Sequence, residues 1–292
     1  MPKPRASDDT ARWQGLPSGS PERRAAALRV VGSALLPDTL EGALAELADQ
    51  QDTETRAAIL ARYDACYTDP KRGDSGCYVR SALLRALRPL ALPADRALLE
   101  GAINTYEYLP PGRSEVASGL RAAALIALNE VDPILAGYHA VRLLWDARTS
   151  GMSGEPAVTA AALLGSQEQM LPLYAYLWQP HPAGSEVIGA CLRNLTTLPD
   201  SLLSALIAQY QGSEDEIVLL GLSDLLLAHP ARALCTPVLR ELLDRPRLPN
   251  LFRYLVLTMR ASRQDAWIAE LKRLQREEHI PFRVEILREA LT

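Results

Sequence analysis

The stretch SEVASGLRAAALIALNEVDPILAGYHAVRLLWD, residues 114–146, decides the fold of this chain. Apolar residues recur at three- and four-residue steps in its first half, a spacing that predicts an amphipathic helix over about 115–129 with Ser114 as its N-cap. Pro133 then begins a second helix, because proline at the first helical position loses no backbone hydrogen bond. The stretch therefore predicts a pair of helices joined by a short acidic turn.

Side chains of the second helix divide into an apolar face and a polar stripe. The expected buried residues are Ile134, Val141 and Leu144, and the expected polar stripe is His139, Arg142 and Asp146. An earlier helix carries a comparable stripe, made of Arg96, Glu100 and Asn104. One pair of helices cannot cover all of its apolar surface, so further pairs are expected to pack against it.

Two short strings recur along the chain. An Arg-small-Ala-apolar-Leu string, here called the arginine string, occurs at 24–28, 56–60, 80–84 and 121–125. A Leu-Pro-Asp-hydroxyl-Leu string occurs at 36–44 and 198–206. Self-similarity of this kind is typical of stacked supersecondary units. Second helices are expected to begin near Pro37, Pro93, Pro133, Gln167, Pro199, Arg232 and Gln264, with an additional helix over about 53–66.

The C-terminal part predicts further helices. Ser213 to Glu216 reads as a capping box before an almost wholly apolar helix, and Thr236 with Pro237 favours a helix start. A last pair is expected over about 249–261 and 263–277. A terminal helix over about 282–290 should close the array, with a polar outer face consisting of Arg283, Glu285, Arg288 and Glu289.

The arginine string and the proline-initiated second helix resemble HEAT repeats, in particular the short bacterial kind also seen in phycobilisome-lyase-like proteins. The resemblance covers roughly residues 20–290, and the segment 69–87 is similar to one found in bacterial HEAT-repeat proteins without an assigned activity. It implies an all-α chain, a right-handed α-solenoid of about seven to eight HEAT-like helical hairpins. One repeat domain is expected over 20–292, after a disordered or loosely docked tail over 1–19.

Composition and charge narrow the class of protein. Hydrophobic residues make up 48% of the 292 residues, which is enough for a large core. The net charge of −4 argues against a dedicated nucleic-acid binder, because neutralisation of phosphates supplies most of the affinity in such proteins. The first residues lack the apolar core of a signal peptide, and no apolar run is long enough for a membrane span. We therefore expect a cytoplasmic protein that does not bind membranes.

Candidate chemical groups are few. Cys66 and Cys77 flank a polar loop at 67–76, where a zinc site or disulfide is one interpretation and two partly buried thiols the favoured one. The four histidines have no helical metal-ligand spacing, and the phosphate-binding and nucleophile-elbow motifs are absent from the sequence. No catalytic residue, metal ligand or cofactor is predicted.

A binding surface is predicted on the loops that leave the second helices. Tyr106, Tyr108 and Arg113 lie in one such loop and Arg148 in the next, and Trp178 and His181 lie just beyond. Together with His139 and Arg142 they form a set rich in aromatic residues and arginine, the types enriched where interfaces carry their binding energy. The alternative is that the aromatic side chains only fill gaps at the edge of the stack.

Two functions from different classes remain open on this reading. The favoured one, which the HEAT resemblance implies, is a non-enzymatic scaffold that binds a protein partner through its concave face or the loop edge between repeats. The alternative is a HEAT-like enzyme, similar to a DNA base glycosylase or a bilin lyase. A glycosylase needs a basic groove, and the acidic middle of the chain argues against one.

Overall fold

The structure is a computed structural model that describes residues 15–33, 37–49, 52–111, 114–179, 184–244 and 248–291. Among these residues the only strands form a short antiparallel hairpin, in which β1 (Tyr108–Leu109) pairs with β2 (Ser114–Glu115). All other regular elements are helices, which confirms the all-α prediction. None of the described helices is both long enough and apolar enough to cross a bilayer.

Contacts cluster in two compact units, residues 1–163 and 164–292. The elements of the first unit are α1 (Pro21–Ser33), α2 (Pro37–Leu47), α3 (Thr53–Thr68), α4 (Pro70–Gly73), α5 (Tyr78–Leu87), 3₁₀ turns at Arg88–Leu90 and Pro93–Asp95, α6 (Arg96–Ile103), the hairpin, α7 (Ser118–Val131) and α8 (Pro133–Leu144). Helices α1, α3, α5 and α7 pack against one another in that order, and α2, α6 and α8 lie against members of this row. Helix α9 (Ala157–Ser166) runs across the division between the units.

The second unit repeats this pattern of packing. Its helices are α10 (Met170–Leu177), α11 (Ser185–Arg193), α12 (Asp200–Tyr210), α13 (Glu216–Ala228), α14 (Arg232–Asp244), α15 (Pro249–Ala261), α16 (Asp265–Glu277) and α17 (Pro281–Leu291). Helices α11, α13, α15 and α17 form the row, and α11 and α13 approach most closely. A Cβ atom on Gly221 would lie 2.4 Å from the carbonyl oxygen of Gly189, so glycine is required there.

Whether these units form one repeat domain stays a prediction, as do the handedness and number of the hairpins. The proposed tail at 1–19 lies outside the described residues up to position 14. Residues 15–19 form turns, and the carbonyl of Leu16 accepts a hydrogen bond from Arg23 Nη1 at 2.8 Å.

The start of the organising stretch differs from the prediction. Ser114 lies in β2, and α7 begins only at Ser118, so Ser114 does not cap the helix. The hairpin extends past Glu115, since the amide of Val116 donates to the carbonyl of Glu107 at 2.9 Å. The second helix does begin at Pro133, and the Asp132 carboxylate caps it by accepting from the amide of Leu135 at 3.0 Å.

The predicted burial of Ile134 is wrong, because this side chain is 76% exposed. Helix α8 packs on α7 through a face of small residues and leucines, which includes Ala136, Ala140, Leu143 and Leu144. Ile134 lies on the opposite face. Val141, also expected to be buried, is only partly buried, and the buried face is the one whose small residues allow close approach of the two helices.

Three predictions in the second unit also need correction. Helix α13 is capped by Asp215, whose carboxylate accepts from the amide of Ile217 at 3.0 Å, and Ser213 instead accepts from the amide of Asp215. Pro237 lies inside α14, which already begins at Arg232. Arg283 does not face outward but is 4% exposed, with its guanidinium carbon 4.6 Å from the ring centroid of Phe252. Cation–π contact and an ion pair to Glu278 keep this charge buried.

Candidate functional site

The arginine strings form the internal framework of the first unit. Each string begins with an arginine on α1, α3, α5 or α7, and each of these arginines binds carboxylates that lie outside its own helix. Arg24 binds Asp52 and Glu54, Arg56 binds Asp95, Arg80 binds Asp74 and Glu107, and Arg121 binds Glu115 and Asp146. The string is therefore a structural device that fixes loops to the row of helices.

Arg80 and Asp74 form the most enclosed pair, with both side chains 1% exposed. Arg80 Nε donates to Asp74 Oδ2 at 2.7 Å, and Nη2 donates to Glu107 Oε1 at 2.7 Å. Asp74 also accepts from the amide of Val79 at 2.7 Å. Burial alone would lower the pKa of Arg80, but the hydrogen bonds to the two carboxylates raise it. The guanidinium therefore stays charged.

The cysteines that flank this loop face different partners. Cys66 Sγ lies 3.7 Å from the carbonyl oxygen of Gly73, whereas Cys77 Sγ donates to Glu107 Oε2 at 3.4 Å. Burial, helped by Glu107, raises the pKa of Cys77 to about 12, so its thiol is protonated and a poor nucleophile. All four cysteines are free and buried. Within the described ranges, no group of three or more His, Cys, Asp and Glu side chains is placed to hold a metal ion.

Arg121 holds the hairpin and the end of α8 together. Its side chain is 0% exposed and donates to both carboxylate oxygens of Glu115, at 2.8 and 3.0 Å. Its Nε lies 3.3 Å from Asp146 Oδ2, an ion pair without hydrogen-bond geometry. The carbonyls of Thr105 and Arg148 accept from the same guanidinium at 3.1 and 3.2 Å.

Ion pairs of this kind include most of the acidic side chains in the middle of the chain. Residues 91–180 contain nine acidic and five arginine side chains, a net charge of −4. Seven of the nine carboxylates pair with an arginine: Asp95, Glu100, Glu107, Glu115, Glu130, Asp132 and Asp146. Asp146, expected on an exposed stripe, is buried against Arg121. Most of the acidic side chains in this part of the chain are therefore engaged in ion pairs.

The structure brings the predicted loop residues together. The Tyr106 hydroxyl donates to Asp146 Oδ2 at 3.0 Å, and the Arg121 guanidinium carbon lies 4.2 Å from the Tyr106 ring centroid. The Arg148 guanidinium carbon lies 5.8 Å from the ring centroid of Tyr108, which is 45% exposed. An open cavity of about 540 Å³ is lined by Tyr108, Leu109, Pro110, Pro111 and Arg148. Arg113 lies outside the described residues.

The predicted helical residues lie beside this loop. His139 Nε2 lies 3.4 Å from Glu100 Oε1, and Arg142 Nη2 lies 3.4 Å from His139 Nδ1. Burial and the hydrogen bond to Asp146 raise the pKa of Tyr106, and Arg121 and Arg142 oppose that rise. Five of the six described residues of the predicted set lie in the first unit, where Tyr106 is joined through Asp146 to the end of the helix that carries His139 and Arg142.

The sequence reading missed the apolar part of this surface. Ile134, Tyr138, Val141 and Trp145, here called the α8 stripe, follow steps of four, three and four residues along one side of α8 and into its C-cap. Tyr138 is 75% exposed and Trp145 42%, besides the exposed Ile134. A signal for this was present, because α8 carries two apolar stripes, and a helix packed on one side can bury only one.

Arg142 and Arg148 differ from the arginines of the strings. Both are exposed, and among the residues that the structure describes no carboxylate lies within ion-pairing distance of either guanidinium. Arg142 contacts His139, and Arg148 lies over Tyr108. The surface therefore combines large exposed apolar side chains with two arginines whose charge is not neutralised by a neighbour.

The other large cavity of the first unit is less suited to binding. It has a volume of about 480 Å³ and lies over the small residues Gly119, Ala122 and Ala123 of α7. Its arginines are already paired, Arg85 with Glu41 at 2.9 Å and Arg88 with Glu130 at 2.7 Å. Polar capacity for a ligand is therefore largely used up at this cavity.

In the second unit the predicted aromatic residue Trp178 is 47% exposed and packs against Tyr174, with ring centroids 5.9 Å apart. His181 lies outside the described residues. His229, in contrast, is buried, where its Nε2 lies 2.6 Å from the carbonyl oxygen of Leu198 and its Nδ1 accepts from the amide of Ala231. These contacts indicate a structural role for His229.

Comparison of the chain with models of known protein families, with curated proteins and with solved structures gives no significant match.

Proposed function

We propose that this chain is a HEAT-like helical-repeat scaffold that binds a protein partner through the α8 stripe and the adjoining hairpin. The observation that carries the proposal is α8 itself, which buries one apolar face on α7 and leaves Ile134 and Tyr138 three-quarters exposed beside Arg142. Soluble proteins rarely expose contiguous apolar side chains without a partner for them.

Residue types on this surface also support protein binding. Tyrosine, tryptophan and arginine dominate the residues whose truncation weakens protein complexes most. Tyr138, Trp145 and Arg142 provide all three types within two turns of one helix. The hairpin adds Tyr108 and Leu109, which are both partly exposed.

The support beneath this surface is rigid. Arg121 fixes β2 and the turn after α8 by charge-assisted hydrogen bonds inside the unit, and Arg80 fixes Glu107 just before β1. A pre-organised surface loses little conformational entropy on binding, which favours affinity. The row formed by α1, α3, α5 and α7 supports the repeat architecture that the proposal assumes.

The proposal is tested by site-specific photo-crosslinking in lysate of the source organism. A benzophenone amino acid at position 138 is compared with the same probe at Tyr78, a tyrosine of the same unit that is 66% exposed on α5. We expect a discrete protein adduct from position 138 that is weak or absent from position 78. Excess unlabelled chain should compete for it, and a Tyr138→Ala/Arg142→Ala chain should compete at least about tenfold less well, equivalent to about 1.4 kcal/mol.

Two results would contradict the proposed binding surface. Equal adducts at both positions, or equal competition by the wild-type chain and the double variant, would show that the α8 stripe is not the binding surface. Both substitutions are at exposed positions, so thermal unfolding of the variant should match that of the wild-type chain to within about 0.5 kcal/mol.

A further inference from the structure

We infer that the segment of the partner bound at this surface is acidic, with carboxylates that pair with Arg142 and Arg148 and an apolar side chain that packs on the α8 stripe. The inference rests on the proposed function and names the chemical class of the partner. Charge complementarity between the two exposed arginines and a carboxylate-bearing segment supports it.

The exposed ends of this surface are arginines, although the sequence around it is acidic. Glu115 and Asp146 are nearly enclosed beside the single guanidinium of Arg121, and Glu107 pairs with Arg80. These carboxylates already pair with buried guanidinium groups, so they are poorly placed to bind a basic partner. Arg142 and Arg148 are left as the charges that a partner meets.

Both arginines have free donor capacity in a defined place. The guanidinium of Arg142 carries five N–H donors. One of its nitrogens, Nη2, lies 3.4 Å from His139 Nδ1. The backbone amide of Arg148 donates to Asp146 Oδ1 at 2.8 Å, which fixes the turn while its side chain lies over Tyr108. Planar guanidinium groups bind carboxylates in a bidentate geometry, so aspartate or glutamate is the matching group.

An acidic protein segment fits this surface better than a nucleic acid. Nucleic-acid affinity grows with the number of phosphates neutralised, and binding proteins commonly use many cations. The described surface offers two unpaired arginines, beside Glu100, which faces His139. Ile134 offers a purely aliphatic contact with no base-stacking capacity, whereas an apolar side chain of a peptide packs on it directly.

The test is selection from a random peptide display library on the immobilised full chain. We expect enriched peptides to combine Asp or Glu with a nearby leucine, isoleucine or aromatic residue. One such peptide, fluorescently labelled, should bind an Arg142→Glu/Arg148→Glu chain at least about tenfold more weakly than the wild-type chain, and its affinity should fall as salt is added. Arg29→Glu is the matched control, since Arg29 is exposed on α1 away from this surface, and it should leave the affinity unchanged.

The outcomes separate this inference from the proposed function. Selected peptides that are neutral or basic, and whose binding is weakened by Tyr138→Ala, would overturn the inferred acidic partner but not the proposed scaffold function. Binding that is indifferent to Tyr138→Ala would overturn both. Tighter binding of a random single-stranded DNA pool than of any selected peptide, lost in the Arg142→Glu/Arg148→Glu chain, would replace the acidic segment by a nucleic acid.

Discussion

Arg121 illustrates how a buried charge can specify a loop conformation. Its neighbours Glu115 and Asp146 are nearly inaccessible, and within the described part of the chain its guanidinium is the cation that pairs with both. Removing one member of a buried ion pair is costly because the remaining charge stays desolvated. Arg121 is therefore expected to contribute strongly to the stability of the fold.

We predict that Arg121→Met lowers the free energy of unfolding by about 3 to 5 kcal/mol, since methionine retains the bulk but leaves two buried carboxylates without the cation that pairs with both. Urea denaturation followed by circular dichroism measures the effect. Arg142→Met is the matched control and should cost no more than about 0.5 kcal/mol, because that side chain is exposed. A cost below about 1 kcal/mol for Arg121→Met would mean that the cluster relaxes toward water without its arginine.

Glu270 makes a prediction for acid conditions. Hydrogen bonds from Arg240, followed by Arg273, outweigh burial and lower the pKa of Glu270 from 4.5 to about 2. Because the folded pKa lies below the unfolded one, this carboxylate contributes stability that is fully present above about pH 4.5 and is lost as the pH falls through 2. Both arginines are partly exposed, so solvent screening reduces the contribution to about 1 to 2 kcal/mol.

The measurement is the free energy of unfolding from pH 7 to 2 for the wild-type chain and Glu270→Gln. The variant should lose stability at neutral pH and show a correspondingly smaller fall in acid. Glu214→Gln, at an exposed position in the turn before α13, should reproduce the wild-type curve. Parallel curves for the wild-type chain and Glu270→Gln would contradict the lowered pKa.

At the level of single residues, the sequence indicated which side chains lie in the candidate region but not which side chains pair with one another. It indicated one loop edge for Tyr108 and Arg148, and the Arg148 guanidinium does lie over the Tyr108 ring. It placed Asp146 and Arg283 on exposed faces, since helical periodicity assigns polar residues to solvent. Both are buried because their partners, Arg121 and Phe252, come from other helices, and no local pattern encodes that contact.

Among the helices, the contact of α11 with α13 leaves the least space. A Cβ atom on residue 221 would lie only 2.5 Å from the Cα atom of Gly189. A glycine inside a helix is normally unfavourable by about 1 kcal/mol relative to alanine. At this crossing the close packing of two helices compensates for that loss.

We predict that Gly221→Ala destabilises the protein by about 1 to 3 kcal/mol, because the added methyl group forces the two helices apart. Gly101→Ala is the matched control. Gly101 is a helical glycine of α6, and no atom lies within 4 Å of the position that an alanine Cβ would take there. That control should be neutral or stabilising by up to about 1 kcal/mol. Thermal unfolding of the two variants distinguishes them, and equal or opposite effects would show that the crossing adjusts without cost.

Element existence was more predictable than element ends. Proline and aspartate fixed the start of α8, since their effect is confined to one turn. The start of α7 was predicted too early because Glu115 and Val116 enter the hairpin, a pairing with Glu107 and Tyr108 across the loop. Which apolar stripe of α8 is buried was likewise not predicted, because helical periodicity alone does not distinguish two apolar stripes on one helix.

On the scale of the whole molecule, the contacts divide into two units, and each has its own most extensive helix crossing. These are α5 with α7 in residues 1–163 and α11 with α13 in residues 164–292. Backbone amides in densely packed helices open to solvent least often, whereas exposed turns open readily. The fold therefore predicts two separate maxima of protection against hydrogen exchange.

We predict that native-state hydrogen exchange, read by mass spectrometry of peptic fragments, is slowest in α7 and α13. It should be fastest in exposed turns such as 151–153. Arg121→Met should speed exchange in α7, because it weakens the ion pairs of that helix. A single protected region, or a turn at 151–153 as slow as the helices, would contradict this picture.

The pairing of the string arginines has a consequence for protein engineering. A helix cannot be exchanged by itself, since moving α3 would separate Arg24 from Asp52 and Arg56 from Asp95. Residues 114–146 are different, because Arg121 and both of its carboxylates lie within this one segment. Its links outward through Glu130 and Asp132 are exposed ion pairs, each contributing about 1 kcal/mol or less. Transplantation of this segment would therefore keep Arg121 with both of its carboxylates, but β1 (Tyr108–Leu109), which pairs with residues 114–115, would have to move with it.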